Sequence, residues 1–162
     1  MKITNVKLRK VCGVMETEGP LWEERLVMPL DIYPEYRGRG THGGGNQIDD
    51  HHYRVEAVFV QVETDEGLIG IGGPISESQA YIIARSLLGM IKGSDPIATE
   101  LVWDQMHRAQ VHGRQGETMM AISAIDCALW DLKGRWLGQP VYRLLGGPTR
   151  SSNGRVGENS WR

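Results

Sequence analysis

The chain reads as an α+β fold: a three-stranded antiparallel β-meander followed by a three- to four-helix bundle. Three observations predict it. Residues 54–64 alternate, with Val58, Val60 and Val62 on one side and Phe59, Gln61 and Glu63 on the other, the period of a half-buried strand. In residues 119–147, Ile122, Ile125, Leu129, Leu132 and Trp136 recur in steps of three and four, which puts them on one face of a long helix. The order β-β-β then α-α-α departs from the alternation that builds a parallel sheet.

Each element has its own signals. Residues 3–14 form the first strand, with Val6 and Leu8 on a shared face. Asp65-Glu66-Gly67 marks a tight turn in which Gly67 is free to take a positive φ, and residues 68–71 return antiparallel. Ser76-Glu77-Ser78-Gln79 fits a capping box, followed by the stripe Ala80, Ile83, Ala84, Leu87, Leu88 and Ile91. Asp95-Pro96 reads as an N-cap and first-turn pair opening a helix with Ile97, Leu101, Val102 and Met106 inward. The long helix runs from about Glu117, with Ala121, Ala124, Cys127 and Ala128 keeping its other faces small. Gly138 stops it and Pro140 starts a short last helix.

Composition narrows the function classes. A chain of 162 residues can bury one proper core. A net charge of −2 and a pI near 6.2 advertise no surface for nucleic acid. No apolar run reaches the roughly 18 residues of a membrane span, and the N-terminus lacks the apolar segment of a secretory signal. Cys12 and Cys127 are too few for a disulfide framework, so a soluble, reduced, cytoplasmic protein is expected. Two segments stand outside the scheme. Residues 15–53 make a connection longer than a compact domain ordinarily carries, and such loops are functional or disordered. Residues 151–162 are a polar tail without period, expected to be disordered or aberrant, so the domain is expected to span 1–150.

The wording MMAISAIDCALWDLKGRWLGQPVYRLLGG closely resembles the end of the N-terminal capping domain of the enolase superfamily, in the mandelate racemase and muconate lactonizing enzyme branch; the similarity covers roughly residues 1–150. The resemblance implies a cap followed by a (β/α)8 barrel, which alone needs about 250 residues. It implies chemistry on that barrel: a base, from a Lys pair or a His–Asp dyad, removes the proton α to a carboxylate. Mg²⁺ held by three acidic ligands stabilises the enediolate. No catalytic residue, metal ligand or cofactor is therefore assigned to this chain. Mg²⁺ is expected only in a full-length family enzyme, and the chain alone is expected to be inactive.

The resemblance further implies a lid that closes over the barrel mouth and contacts the distal end of the substrate. Two stretches fit. One is IYPEYRGRGTHGGGNQIDDHHYR, where Arg37, Arg39, His42, His51, His52 and Arg54 are suited to the hydroxyls and carboxylate of a sugar acid. The other is GIGGPISES, although this chain lacks the acidic residue that many relatives carry near Gly72 to Pro74. Rhamnonate-dehydratase-like acid-sugar dehydratases look nearest because of the histidine-bearing loop. Racemases or cycloisomerases of the superfamily, and a stand-alone α+β ligand-binding or interaction domain, are the alternatives. The partners implied are a small acid sugar and further copies of the chain, with no nucleic acid and no membrane.

Each candidate also has a plainer reading. His51 and His52 beside Asp49 and Asp50 suggest a metal, but adjacent side chains seldom converge on one ion, and a solvated loop accounts for them. Arg37 and Arg39 are carboxylate clamps or ordinary surface charge. Gly38-x-Gly40-x-x-Gly43 has dinucleotide spacing without the flanking strand and helix. The segment from His112 to Gly116 is a turn, with an anion at the following helix start as the rival reading. Trp103, Trp130 and Trp136 read as core or barrel-facing packing. Asp126 and Asp131 need a partner in a buried helix, by helix capping or Arg pairing.

Overall fold

Alternating valines on one side of a strand demand a cover, and in the structure helices provide it. The computed structural model describes residues 1–19, 27, 29–37, 46–113 and 115–148. The sheet has three strands in the order β1-β2-β3: β1 (Ile3–Glu16), β2 (His52–Thr64) and β3 (Ile69–Ile75). After them come α1 (Glu77–Ile82), a π-turn (Ile83–Leu87), α2 (Leu88–Ile91), α3 (Thr99–Ala109), α4 (Gly116–Leu137) and α5 (Val141–Leu144). The α+β expectation holds, as does the capping box, with Ser76 Oγ accepting from the Gln79 N–H. The chain divides into two compact units, Met1–Arg9 with Phe59–Arg162, and Lys10–Val58.

The first unit holds the core. Val60 and Val62 of β2 and Ile3 and Val6 of β1 pack with Ile83, Leu87 and Ile91, with Val102 and Met106 of α3, and with Ile122, Ile125, Leu129 and Leu132 of α4. At about 25 cal/mol per Å², residues buried this completely are the main source of stability. Gly67 turns β2 into β3 with φ +80°, and its N–H donates to the Thr64 carbonyl at 3.2 Å. Gly138 closes α4 in the left-handed region at φ +63°.

Two glycines decide how closely α4 lies on β3. A Cβ on Gly70 would stand 2.7 Å from the Leu132 Cβ and closer still to the Ala128 carbonyl oxygen. One on Gly72 would stand 2.9 Å from the Ala128 nitrogen and overlap the Ala124 carbonyl oxygen. The strand needs bare backbone here, and the small Ala124 and Ala128 complete the fit.

Several expectations need correction. The π-turn keeps Ile83, Leu87 and Ile91 in line and carries Ala84 to the exposed side, so the stripe is narrower than read. Asp95 caps a separate turn: its Oδ1 accepts the Ile97 N–H at 3.0 Å and its carbonyl the Ala98 N–H at 3.2 Å. The helix therefore begins at Thr99, later than read, and its buried line is Thr99, Val102 and Met106, which leaves Leu101 58% exposed. The buried positions of α4 end at Gly134, two residues past Leu132, and Trp136 in the last turn is half exposed. β3 runs on to Ile75, beyond the 68–71 expected.

The second unit holds the later part of β1 and the early part of β2, so the connection within 15–53 is shorter than it looked. It contains 3-10 turns at Pro29–Ile32 and Pro34–Tyr36 and a bridge between Gln47 and Tyr53. Tyr53 is the one buried hydrophobic residue among its described residues. Arg39, His42, Arg114, the glycine spacing of 38–43 and the tail 151–162 lie outside the described residues. No helix among the described residues is long and apolar enough to cross a membrane.

Candidate functional site

In the second unit the candidates gather around one carboxylate. Asp49 Oδ1 accepts the His51 backbone N–H at 2.9 Å, and His52 Nδ1 stands 2.7 Å and 2.9 Å from the two Asp49 oxygens. The His51 backbone N–H, followed by the His52 side chain, holds the Asp49 carboxyl below the usual aspartate range. An ionised carboxylate only accepts, so His52 Nδ1 carries the proton and Nε2 is left as the ring atom for a ligand. His51 turns the other way and donates from Nδ1 to the Thr17 carbonyl at 3.2 Å, while the Thr17 N–H donates to the His51 carbonyl at 2.8 Å.

Beside His51 an open cavity of about 660 Å³ is lined by Glu16, Thr17, Glu18 and His51. Two glutamates at its rim favour hydroxyl donors or cations and oppose a bare carboxylate. A ligand carboxylate would find better company at the arginines. The structure does not bring Arg37 to the histidines: its Nε donates to the carbonyl of Asp31, in the preceding turn, at 2.8 Å. Arg54 is exposed on β2, its backbone N–H donating to the Asn46 carbonyl at 2.6 Å. Lys10 pairs with Glu56 at 2.6 Å and, with help from Arg54, lowers that carboxyl. Thr17 and Asp49 thus organise the site. Asp49 was legible only as a neighbour of histidines, and nothing in the sequence singles out Thr17.

In the first unit the stretch GIGGPISES ends β3 and opens α1. An acidic group does reach this turn, from α4: Glu117 Oε2 accepts from Ser78 Oγ at 2.7 Å and from Ser76 Oγ at 3.1 Å. Those hydroxyls, Ser78 first, hold the Glu117 carboxyl below the usual range. Distance in sequence hid it, since Ser76 and Glu117 are 41 residues apart. In the turn before α4, the Gly113 N–H donates to the Gln110 carbonyl at 3.0 Å, and Gly116 sits at φ +60°.

The buried-helix carboxylates divide. Asp131 accepts from Arg135 Nε, as Arg pairing predicts, and also from the Ile71 backbone N–H, each at 2.9 Å. Asp126 is half-buried, and burial first, then the charge of Glu100, pushes its carboxyl up. Trp103 packs against the core and stacks on His107 with centroids 4.7 Å apart, and Lys133 Nζ lies 4.9 Å from the centre of the Trp130 ring. Among the described residues, no three His, Cys, Asp or Glu side chains are grouped to hold a metal ion. The donor set present therefore does not fit the oxygen cage that a hard dication needs.

Comparison with known proteins places this arrangement. The model of the mandelate racemase / muconate lactonizing enzyme N-terminal domain matches residues 51–146. An L-rhamnonate dehydratase of Saccharopolyspora erythraea is 35% identical over 157 residues, covering 93% of this chain and 38% of the relative. A D-galactonate dehydratase of Xanthomonas campestris pv. campestris is 40% identical over 107 residues, covering 64% of this chain and 28% of the relative. The fold matches a mandelate racemase/muconate lactonizing protein of Paracoccus denitrificans, solved with magnesium, at a TM-score of 0.59 and 24% identity, over 92% of this chain and 31% of that one. The chain thus spans well under half the length of these proteins. With a family model matched across most of its described elements, the chain belongs to the mandelate racemase / muconate lactonizing enzyme family, whose N-terminal domain it carries.

Proposed function

We propose that this chain acts as the capping lid of an acid-sugar dehydratase, closing over a catalytic barrel that removes the proton α to a substrate carboxylate. The observation that carries this reading is the N-terminal-domain match over residues 51–146, alongside relatives named as dehydratases of sugar acids that this chain covers only in part. The substrate is a small acid sugar and the working enzyme a cytoplasmic homo-oligomer. Mg²⁺ belongs to the full-length enzyme, where it supplies the charge that stabilises an enediolate. The described residues of this chain do not fit it.

The chain's own residues bind, orient and exclude water. His52, with its proton fixed on Nδ1 by Asp49, offers Nε2 to a substrate hydroxyl. Arg54 and Arg37, with Arg39 and His42, supply donors for hydroxyl and carboxylate oxygens. The stretch GIGGPISES, whose Ser76 and Ser78 hydroxyls donate to Glu117, is the other lid stretch, taken by itself. Closing such a cover strengthens every polar contact beneath it and keeps bulk water from the reacting carbon.

The test is reconstitution. The 162-residue chain is mixed with the separately produced remainder of the S. erythraea relative, and dehydration of L-rhamnonate and D-galactonate is followed with Mg²⁺ present. Turnover is expected only from the mixture, and Arg54→Ala or His52→Ala should raise KM more than it lowers kcat. Turnover by the chain alone, or no association with a folded remainder, overturns the reading.

A further inference from the structure

β3 is the last strand of the order β1-β2-β3, so one of its edges has no strand beside it among the described residues. Its composition makes that edge hazardous. Gly70 and Gly72 leave it without side chains toward α4, while Ile69 and Ile71 are exposed by 39% and 46%. An exposed strand edge is a template on which another chain can add a strand. The Ile71 N–H is already taken, because it donates to Asp131 Oδ2 at 2.9 Å. That same oxygen accepts from Arg135 Nε at 2.9 Å, so the guanidinium fixes the carboxylate over the edge. As a stability device an exposed Asp–Arg pair one helical turn apart does little. Its position against a strand edge gives it another use.

We propose that Asp131, oriented by Arg135, is an edge guard: it occupies the Ile71 N–H and sets a hydrated charge at the rim, which prevents a second copy of the chain from adding its own β3 there. The excluded partner is a second copy because two identical edges, paired antiparallel about a two-fold axis, satisfy each other's N–H and C=O groups at once. This holds whether or not the chain works as a lid, since it concerns the edge alone.

The test uses the 162-residue chain with Asp131→Ala, Asp131→Asn, and Asp131→Ala combined with Ile71→Lys. Sedimentation equilibrium over a range of concentrations reads association, site-resolved hydrogen exchange reads the Ile71 amide, and circular dichroism confirms folding. Relative to the parent, Asp131→Ala should self-associate at least tenfold more tightly, with Ile71 protection rising with concentration. Asp131→Asn keeps an acceptor but loses the charge, and should associate more tightly than the parent and less tightly than Asp131→Ala. A lysine on the edge strand should cancel the effect of the alanine. A folded Asp131→Ala with the parent's mass at every concentration overturns the proposal, as does association that Ile71→Lys leaves intact. Should the alanine variant not fold, the parent decides: Ile71 exchanging there at the unprotected rate means that the guarding bond does not exist.

Discussion

The two units of this chain are built on opposite plans. The unit of Met1–Arg9 and Phe59–Arg162 carries sixteen of the buried hydrophobic residues as one cluster, whereas Tyr53 is the lone buried hydrophobic residue described in Lys10–Val58. The second unit relies on backbone pairing and on exposed polar contacts such as Asp49 with His52 and Lys10 with Glu56. Buried apolar packing is thereby concentrated in the first unit, where substitutions act on folding, while the described side chains of the second are mostly exposed or half-buried.

The sharpest way to break this comparison is a matched pair of glycine substitutions. Gly72→Val drives a side chain into the Ala124 carbonyl and the Ala128 nitrogen, and backbone on both sides leaves nothing free to give. It should cost at least about 3 kcal/mol, the upper end for overpacking, seen as a large fall in the urea midpoint. Gly13→Val in the second unit meets nothing within 4 Å and should change stability by less than about 0.5 kcal/mol. Equal losses at both positions would mean that the units share one core. Next in size, Leu129→Ala, at a fully buried site, should cost about 2–5 kcal/mol.

How far these contrasts were readable depends on the range of the interaction. Strands, the Ser76–Gln79 capping box, the Gly67 turn and the Gly138 stop are local and stood in the sequence, because each rests on residues within a few positions of one another. The buried faces were less legible. A π-turn at Ile83–Leu87 and a separate Asp95 turn each displaced the periodicity, exposing Ala84 and Leu101. Least legible were contacts between distant segments. Glu117 with Ser76 and Ser78, and Asp131 with the Ile71 N–H, join α4 to residues 39 to 60 positions earlier, and no local pattern announces them. The histidine pair stands out in the sequence as a candidate, whereas Asp49 shows its place beside them only through an Asx-type turn, its Oδ1 accepting the His51 N–H.

Acid titration probes the same contrast more gently. Glu117 and Glu63 in the first unit have lowered carboxyls, the latter through Lys7 at 2.6 Å. Lowered acids stabilise above their unfolded pKa, and that contribution fades as pH falls through the folded one. Asp126 runs the other way. Its raised carboxyl costs stability as pH climbs from the ordinary aspartate range past its folded value, and the cost vanishes below that range. Asp126→Asn should therefore raise the Tm at neutral pH and leave it unchanged in strong acid. A variant less stable than the parent at neutral pH would show that Asp126 has an ionised role that burial and Glu100 do not predict.

The smallest expected effect is the most local one. Asp49→Ala removes the acceptor for the His51 N–H and for His52 Nδ1, both exposed, so global stability should stay within about 0.5 kcal/mol. What should change is the histidine itself. Without the carboxylate, no charge fixes the proton on Nδ1, and the Nδ1 to Nε2 tautomer ratio of His52 should move toward that of a free imidazole. ¹⁵N chemical shifts of the ring read this directly, and amide shifts in the first unit should not follow. If perturbation instead reached Leu129 or Val60 in the core, the polar unit would be supporting the apolar one. A tautomer change confined to the second unit would show that the Asp49–His52 contact acts locally, independent of the apolar core.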